Sequence, residues 1–132
     1  MTMKLSEAMR KGIECSLPAK GFYLSKGVEL ANSDAPVDAL CACALGAALL
    51  GAFECDFDMI QEECDSEYPN IKGYHEVFLD IFPDINSIRI ENPIRHSPSG
   101  YKPNLWNVVT DLNDHAAWTR EQIADWLESI GY

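Results

Sequence analysis

Five cysteines, three histidines and a dense run of carboxylates are the residues of this chain whose types allow chemistry. Between positions 54 and 67 stand Glu54, Asp56, Asp58, Glu62, Glu63, Asp65 and Glu67, with no lysine or arginine among them. Like charges one helical turn apart repel by roughly 0.2–0.5 kcal/mol per pair. A surface that serves solubility alone intersperses both signs. Two readings stay open: an acidic surface that keeps a small protein soluble, and, because lysines are missing from the run, a face that meets a basic protein surface. The wider charge agrees: residues 1–26 carry +3, residues 27–88 carry −12 and residues 89–132 carry −2, for a net −11. Such a field repels nucleic acid and anionic lipid, so neither direct nucleic-acid binding nor membrane association is expected.

Histidine is the side chain suited to proton transfer near neutral pH. His75, His96 and His115 are the candidates, and a nucleophile beside one of them would be Cys55 or Cys64. No G-x-S-x-G elbow and no phosphate-cradling glycine loop accompanies them. His115 has the most polar setting, flanked by Asp111, Asn113 and Asp114. Two readings stay open there. One is a small hydrolase or transferase site built from His115, Asp111 and Asp114. The other, weighed heavier, is a helix–helix turn in which Asn113 and Asp114 satisfy backbone donors.

Metal chemistry finds no standard pattern. Cys41 and Cys43 lie two apart within an expected helix, so they point to different faces. Cys55 and Cys64 would have to converge with His75 at a spacing no zinc motif uses. Asp56 and Asp58 open like an EF-hand loop with Glu67 twelfth, but Ile60 and Gln61 stand where a ligand and a glycine belong. Neither a metal nor a cofactor is expected, and the cysteines read as small buried hydrophobes.

The elements that must position these residues are mostly helical. Leu5, Ala8, Met9 and Ile13 recur at helical spacing, with Ser6 as the expected cap. Phe22 to Leu30, broken by Lys26-Gly27, predicts a short β-hairpin. Positions 36–53 are apolar nearly all round and predict the buried central helix, where Gly46 and Gly51 would permit close packing. Acidic residues 56–67 form a short helix, and Tyr74, Val77, Phe78, Ile81 and Phe82 form the stripe of another, stopped by Pro83. A brief extended piece at 85–90 and a proline-rich loop at 91–103 follow.

The last third repeats the helical pattern. Trp106, Val109 and Leu112 share one face. Thr119 and Gln122 have capping-box spacing, Ile123, Trp126, Leu127 and Ile130 form a stripe, and Gly131 is a natural stop. The tryptophans read as core rather than as a ligand cage. The last helix carries Glu121, Asp125 and Glu128 against Arg120 alone, a poor DNA reader. The expected fold class is thus mainly α: a single domain over 1–132, a small orthogonal helical bundle around the central helix, with the hairpin near 22–30.

The N-terminal stretch mixes Lys4, Glu7, Arg10, Lys11 and Glu14 among its apolar residues, unlike a secretory leader. The cysteine count is odd, against a secreted disulfide framework. Both point to the cytoplasm.

Two segments carry a resemblance. Positions 43–48 (CALGAA) and 112–126 (LNDHAAWTREQIADW) resemble the shared motifs of a family of small uncharacterised proteins encoded by bacteria, prophages and phages. Positions 3–8 (MKLSEA) are similar to the usual start of its members. The family often places paired cysteines in its middle in a knuckle-like arrangement, whereas this chain has no C-x-x-C. What the resemblance implies is phage-related kinship, with no assigned activity. The expected function is a non-catalytic accessory role exerted by binding another macromolecule through the acidic face.

Overall fold

The computed structural model describes residues 3–18, 24–26, 40–65, 73–95 and 99–132. Those residues form six α-helices, a 3-10 turn and a three-stranded sheet. None of the described helices is long and apolar enough to cross a membrane. The mainly helical bundle expected from the periodicity is what the chain adopts.

At its centre lies α2 (Ala44–Ala52), buried from Ala44 through Gly51. An all-apolar helix has no face to give to water, so neighbours must cover it on every side. The first cover is α1 (Leu5–Glu14), whose buried stripe is Leu5, Ala8, Met9 and Gly12. The two helices cross with backbones almost touching: a Cβ at Gly12 would lie 1.7 Å from the Ala47 carbonyl oxygen, and one at Gly51 would lie 1.7 Å from that of Ala8. Gly51 thus does what its place in an apolar helix predicts, and Gly12 joins it from the other side. Ser6 does not cap α1. The N-cap is Lys4, without a side-chain bond, and Ser6 is buried with its hydroxyl unpartnered.

The N-terminal part of the expected central helix is a strand instead. β3 (Leu40–Ala42) is the middle strand, parallel to β1 (Leu17–Pro18) and antiparallel to β2 (Leu24–Lys26). A short apolar run buried on both faces has the same composition in a strand as in a helix, so periodicity could not separate them. β2 occupies the first arm of the expected hairpin and pairs with β3, with Ser25 opposite Cys41, while the second arm of that hairpin lies outside the described residues. Positions 22–23, 27–39, 66–72 and 96–98, with His96 and Glu67, lie outside the described residues. Pro18 is tolerated because β1 is an edge strand.

The other helices close around this centre. α3 (Phe57–Asp65) turns Ile60 and Cys64 inward, and α4 (Tyr74–Ile81) turns in Val77 and Phe78. The Phe78 ring meets Trp106 of α5 (Leu105–Asp114) edge-on at 5.3 Å. Between them a 3-10 turn (Pro83–Asn86) replaces the start of the expected extended piece, whose remnant is one bridge between Arg89 and Asn104. α6 (Arg120–Ser129) buries Ile123, Ala124 and Leu127, while Trp126 and Ile130 sit half-buried at the flank. Trp106 and Trp118 are half-buried too, so the indoles border the core rather than fill it.

The ends of α6 follow the local signals. Thr119 Oγ1 accepts from the Gln122 backbone N–H at 3.1 Å, and Gln122 Oε1 accepts from Thr119 N–H at 2.8 Å. Gly131 has φ +94°, and the Tyr132 N–H donates to the Leu127 carbonyl at 2.9 Å. Thr119→Ala removes half of this box and should cost about 1 kcal/mol in urea denaturation. A change below a few tenths would mean that the cap is not formed in solution.

Candidate functional site

The acidic run divides into two groups. Glu54 and Asp56 serve the fold: Glu54 pairs with Lys11 Nζ at 3.2 Å, and Asp56 Oδ1 accepts from the Met59 N–H at 3.1 Å, capping α3. Asp58, Glu62 and Asp65 are spaced i, i+4, i+7 on the exposed side of α3, so they form one stripe. Met59 and Glu63 form the stripe beside it, and Met59 is 49% exposed. Among the described residues no ion pair reaches Asp58, Glu62 or Asp65. Four carboxylates and one bare thioether therefore share a continuous solvent face.

His115 caps the C-terminus of α5 and is exposed. Asp111, only 19% exposed, accepts from Asn92 Nδ2 at 2.8 Å and from Arg95 Nε at 3.3 Å, which fastens the 91–95 segment to α5. Asp114 accepts from Asn113 Nδ2 at 2.8 Å, and Asn113 Oδ1 accepts from the Ala44 N–H at 3.1 Å. Asn113 thus joins the end of α5 to the start of α2. Asp111, Asn113 and Asp114 thus each hold a neighbouring group, as a helix–helix turn requires.

The cysteines depart from the expectation of five free thiols. Cys15 and Cys55 form a disulfide, with Cα atoms 6.3 Å apart. It joins the end of α1 to the turn after α2, where Glu54 and Cys55 both adopt left-handed backbone (φ 54° and 63°). The Cys55 N–H reaches back to the Leu50 carbonyl at 2.8 Å, closing the helix. Cys55 is thereby removed as a nucleophile.

Cys41, Cys43 and Cys64 are buried thiols. Cys41 lies on β3 and Cys43 caps α2, its Sγ accepting from the Gly46 N–H at 3.2 Å, so the helical reason for separating them does not apply. Burial, reinforced by Asp65, Glu63 and Glu76, pushes the Cys64 thiol above its ordinary pKa, which opposes nucleophilic use. His75 lies 4.3 Å from the Trp106 ring, centroid to centroid. No group of three or more His, Cys, Asp or Glu residues gathers to hold a metal among the described residues.

Sequence reasoning missed Arg120. Read as the lone base on an acidic helix, it is in fact 6% exposed. Its Nη1 donates to Ser16 Oγ at 2.7 Å and to the Ala42 carbonyl at 3.3 Å, and its Nη2 donates to the Ser16 carbonyl at 2.8 Å. These bonds tie α6 to the chain beside β1 and to β3. Burial pulls the guanidinium below the ordinary arginine pKa, with Glu121, Cys43 and Cys41 opposing. The available signal was its position: a cation in the first turn of a helix faces the positive end of the macrodipole, so something else must hold it.

Arg120 lines a cleft of about 530 Å³ together with Ser16, Pro18, Asn113, Trp118 and Glu121. A second cleft, about 370 Å³, lies between Met3, Leu5, Phe82, Ile85 and Tyr132 and is mostly apolar. Comparison with protein-family models, with curated proteins and with solved structures finds no match to this chain.

Proposed function

We propose that this protein is a non-catalytic accessory protein of the kind phages and prophages encode, acting by binding a basic protein surface through the exposed face of α3. The observation that carries the reading is the stripe of Asp58, Glu62 and Asp65, which meets no cation within the described residues. Their mutual repulsion is a standing cost that a cationic partner would remove. Met59 adds exposed apolar area beside the stripe, of a kind that interfaces use. Since the stripe contributes no buried contact, selection for folding does not require it.

The compartment in this proposal is the cytoplasm, and it rests on the charged N-terminal stretch alone, since the Cys15–Cys55 disulfide is a bond that persists in oxidising surroundings. The decisive variant reverses Asp58, Glu62 and Asp65 to lysine together. Affinity capture from host lysate, quantified by mass spectrometry, should recover a basic protein with the wild type and lose it with the variant. The circular dichroism spectrum should stay unchanged. Equal recovery by both proteins would assign the binding, if any, to another face.

A further inference from the structure

We infer that the cleft between residues 16–18 and the start of α6 is a binding site for a small organic carboxylate with an apolar body. A guanidinium has five N–H donors, and three of those of Arg120 are used on Ser16 Oγ, the Ser16 carbonyl and the Ala42 carbonyl. What remains is Nε–H and one hydrogen of Nη2. That is the side edge of the fork, which matches a carboxylate with two parallel hydrogen bonds.

The free edge is reachable. Among the described residues, the only unpartnered side-chain polar atom sealed from solvent is Ser6 Oγ. Arg120 Nε, which has no partner among the described residues, is therefore not sealed from solvent, and Arg120 lines the cleft. No ion pair to Arg120 occurs among the described residues, and the carboxylate whose charge favours the cation is its neighbour Glu121. A buried cation held only by neutral oxygens is unusual, because burying a charge without a counter-charge is costly. A bound anion would supply it.

The walls specify the rest of the ligand. Trp118 and Pro18 line the same space, and Leu17 beside them is 41% exposed, a large apolar side chain left in water. At about 530 Å³ the cleft has the size of a small-molecule site, larger than a bare inorganic anion needs. The first turn of α6 adds the positive end of a ten-residue helix. Glu121 stands at the rim and works against an anion, so removing its charge should strengthen binding.

Sodium benzoate is the probe and benzamide its uncharged counterpart, titrated into the oxidised, full-length protein by NMR. Benzoate should shift the Arg120 Nε–H and Trp118 indole resonances saturably, with Kd on the order of 1 mM. Benzamide should bind at least about tenfold more weakly. Glu121→Gln should tighten benzoate, whereas Arg120→Lys, which keeps the charge and loses the fork, should weaken it about tenfold. The ligand comparison on the wild type stands even if Arg120→Lys fails to fold. Equal affinity for benzoate and benzamide would overturn the site, as would the absence of any Arg120 shift at about 50 mM benzoate. Displacement of benzoate by lower concentrations of inorganic phosphate would overturn the assignment to carboxylates.

Discussion

Gly51→Ala is expected to lower stability by about 3 kcal/mol, at the upper end for overpacked cores. In an isolated helix the same change would help by about 1 kcal/mol, because alanine is the better helix former. Packing reverses the sign here. The added Cβ would sit 1.7 Å from the Ala8 carbonyl oxygen, which is backbone inside α1 and cannot rotate away. Gly12→Ala should behave alike, its Cβ meeting the Ala47 carbonyl at the same 1.7 Å. The two substitutions part the same pair of helices, so the double variant should cost less than the sum of the singles. Gly73→Ala serves as the steric control, since nothing lies within 4 Å of its added Cβ, and as the N-cap of α4 it should cost no more than about 1 kcal/mol. Urea denaturation reads all four. Wild-type stability in Gly51→Ala would mean that α1 and α2 do not cross where they are placed.

Reduction of the Cys15–Cys55 disulfide should cost about 4 kcal/mol, because the bridge closes a loop with a sequence separation of 40. The effect acts mainly on the unfolded chain, whose freedom the bridge restricts. For a chain of this size it corresponds to a fall in melting temperature of roughly 10–15 °C. Cys15→Ser and Cys55→Ser should each reproduce the fall and abolish any further response to dithiothreitol. A melt that ignores the reductant would mean that the two residues are thiols in solution.

Much of the fold was legible because its signals are local. The Thr119/Gln122 box, the Gly131 stop and the Tyr74–Ile81 stripe each lie within a turn or two of the backbone they control. What escaped depends on distant partners. Leu40-Cys41-Ala42 becomes strand because β1 and β2 flank it, a fact absent from its own apolar run. The odd cysteine count hid a pair that only the α1–α2 crossing brings together. Arg120 looked like surface charge because its acceptors, Ser16 and Ala42, stand 104 and 78 residues away. The acidic run was visible as composition. Its division into structural carboxylates (Glu54, Asp56) and an outward stripe required the helix register.

The acidic face is tested most directly by the salt dependence of association. The protein captured from lysate would be purified and its association rate followed by stopped-flow fluorescence from low to physiological ionic strength. Steering by exposed charge is screened over about 8–10 Å. The wild-type rate should therefore fall at least about tenfold across that range. The Asp58, Glu62 and Asp65 reversal should start slow and stay nearly flat. Rates that ignore both the salt and the reversal would contradict a binding role for this face of α3.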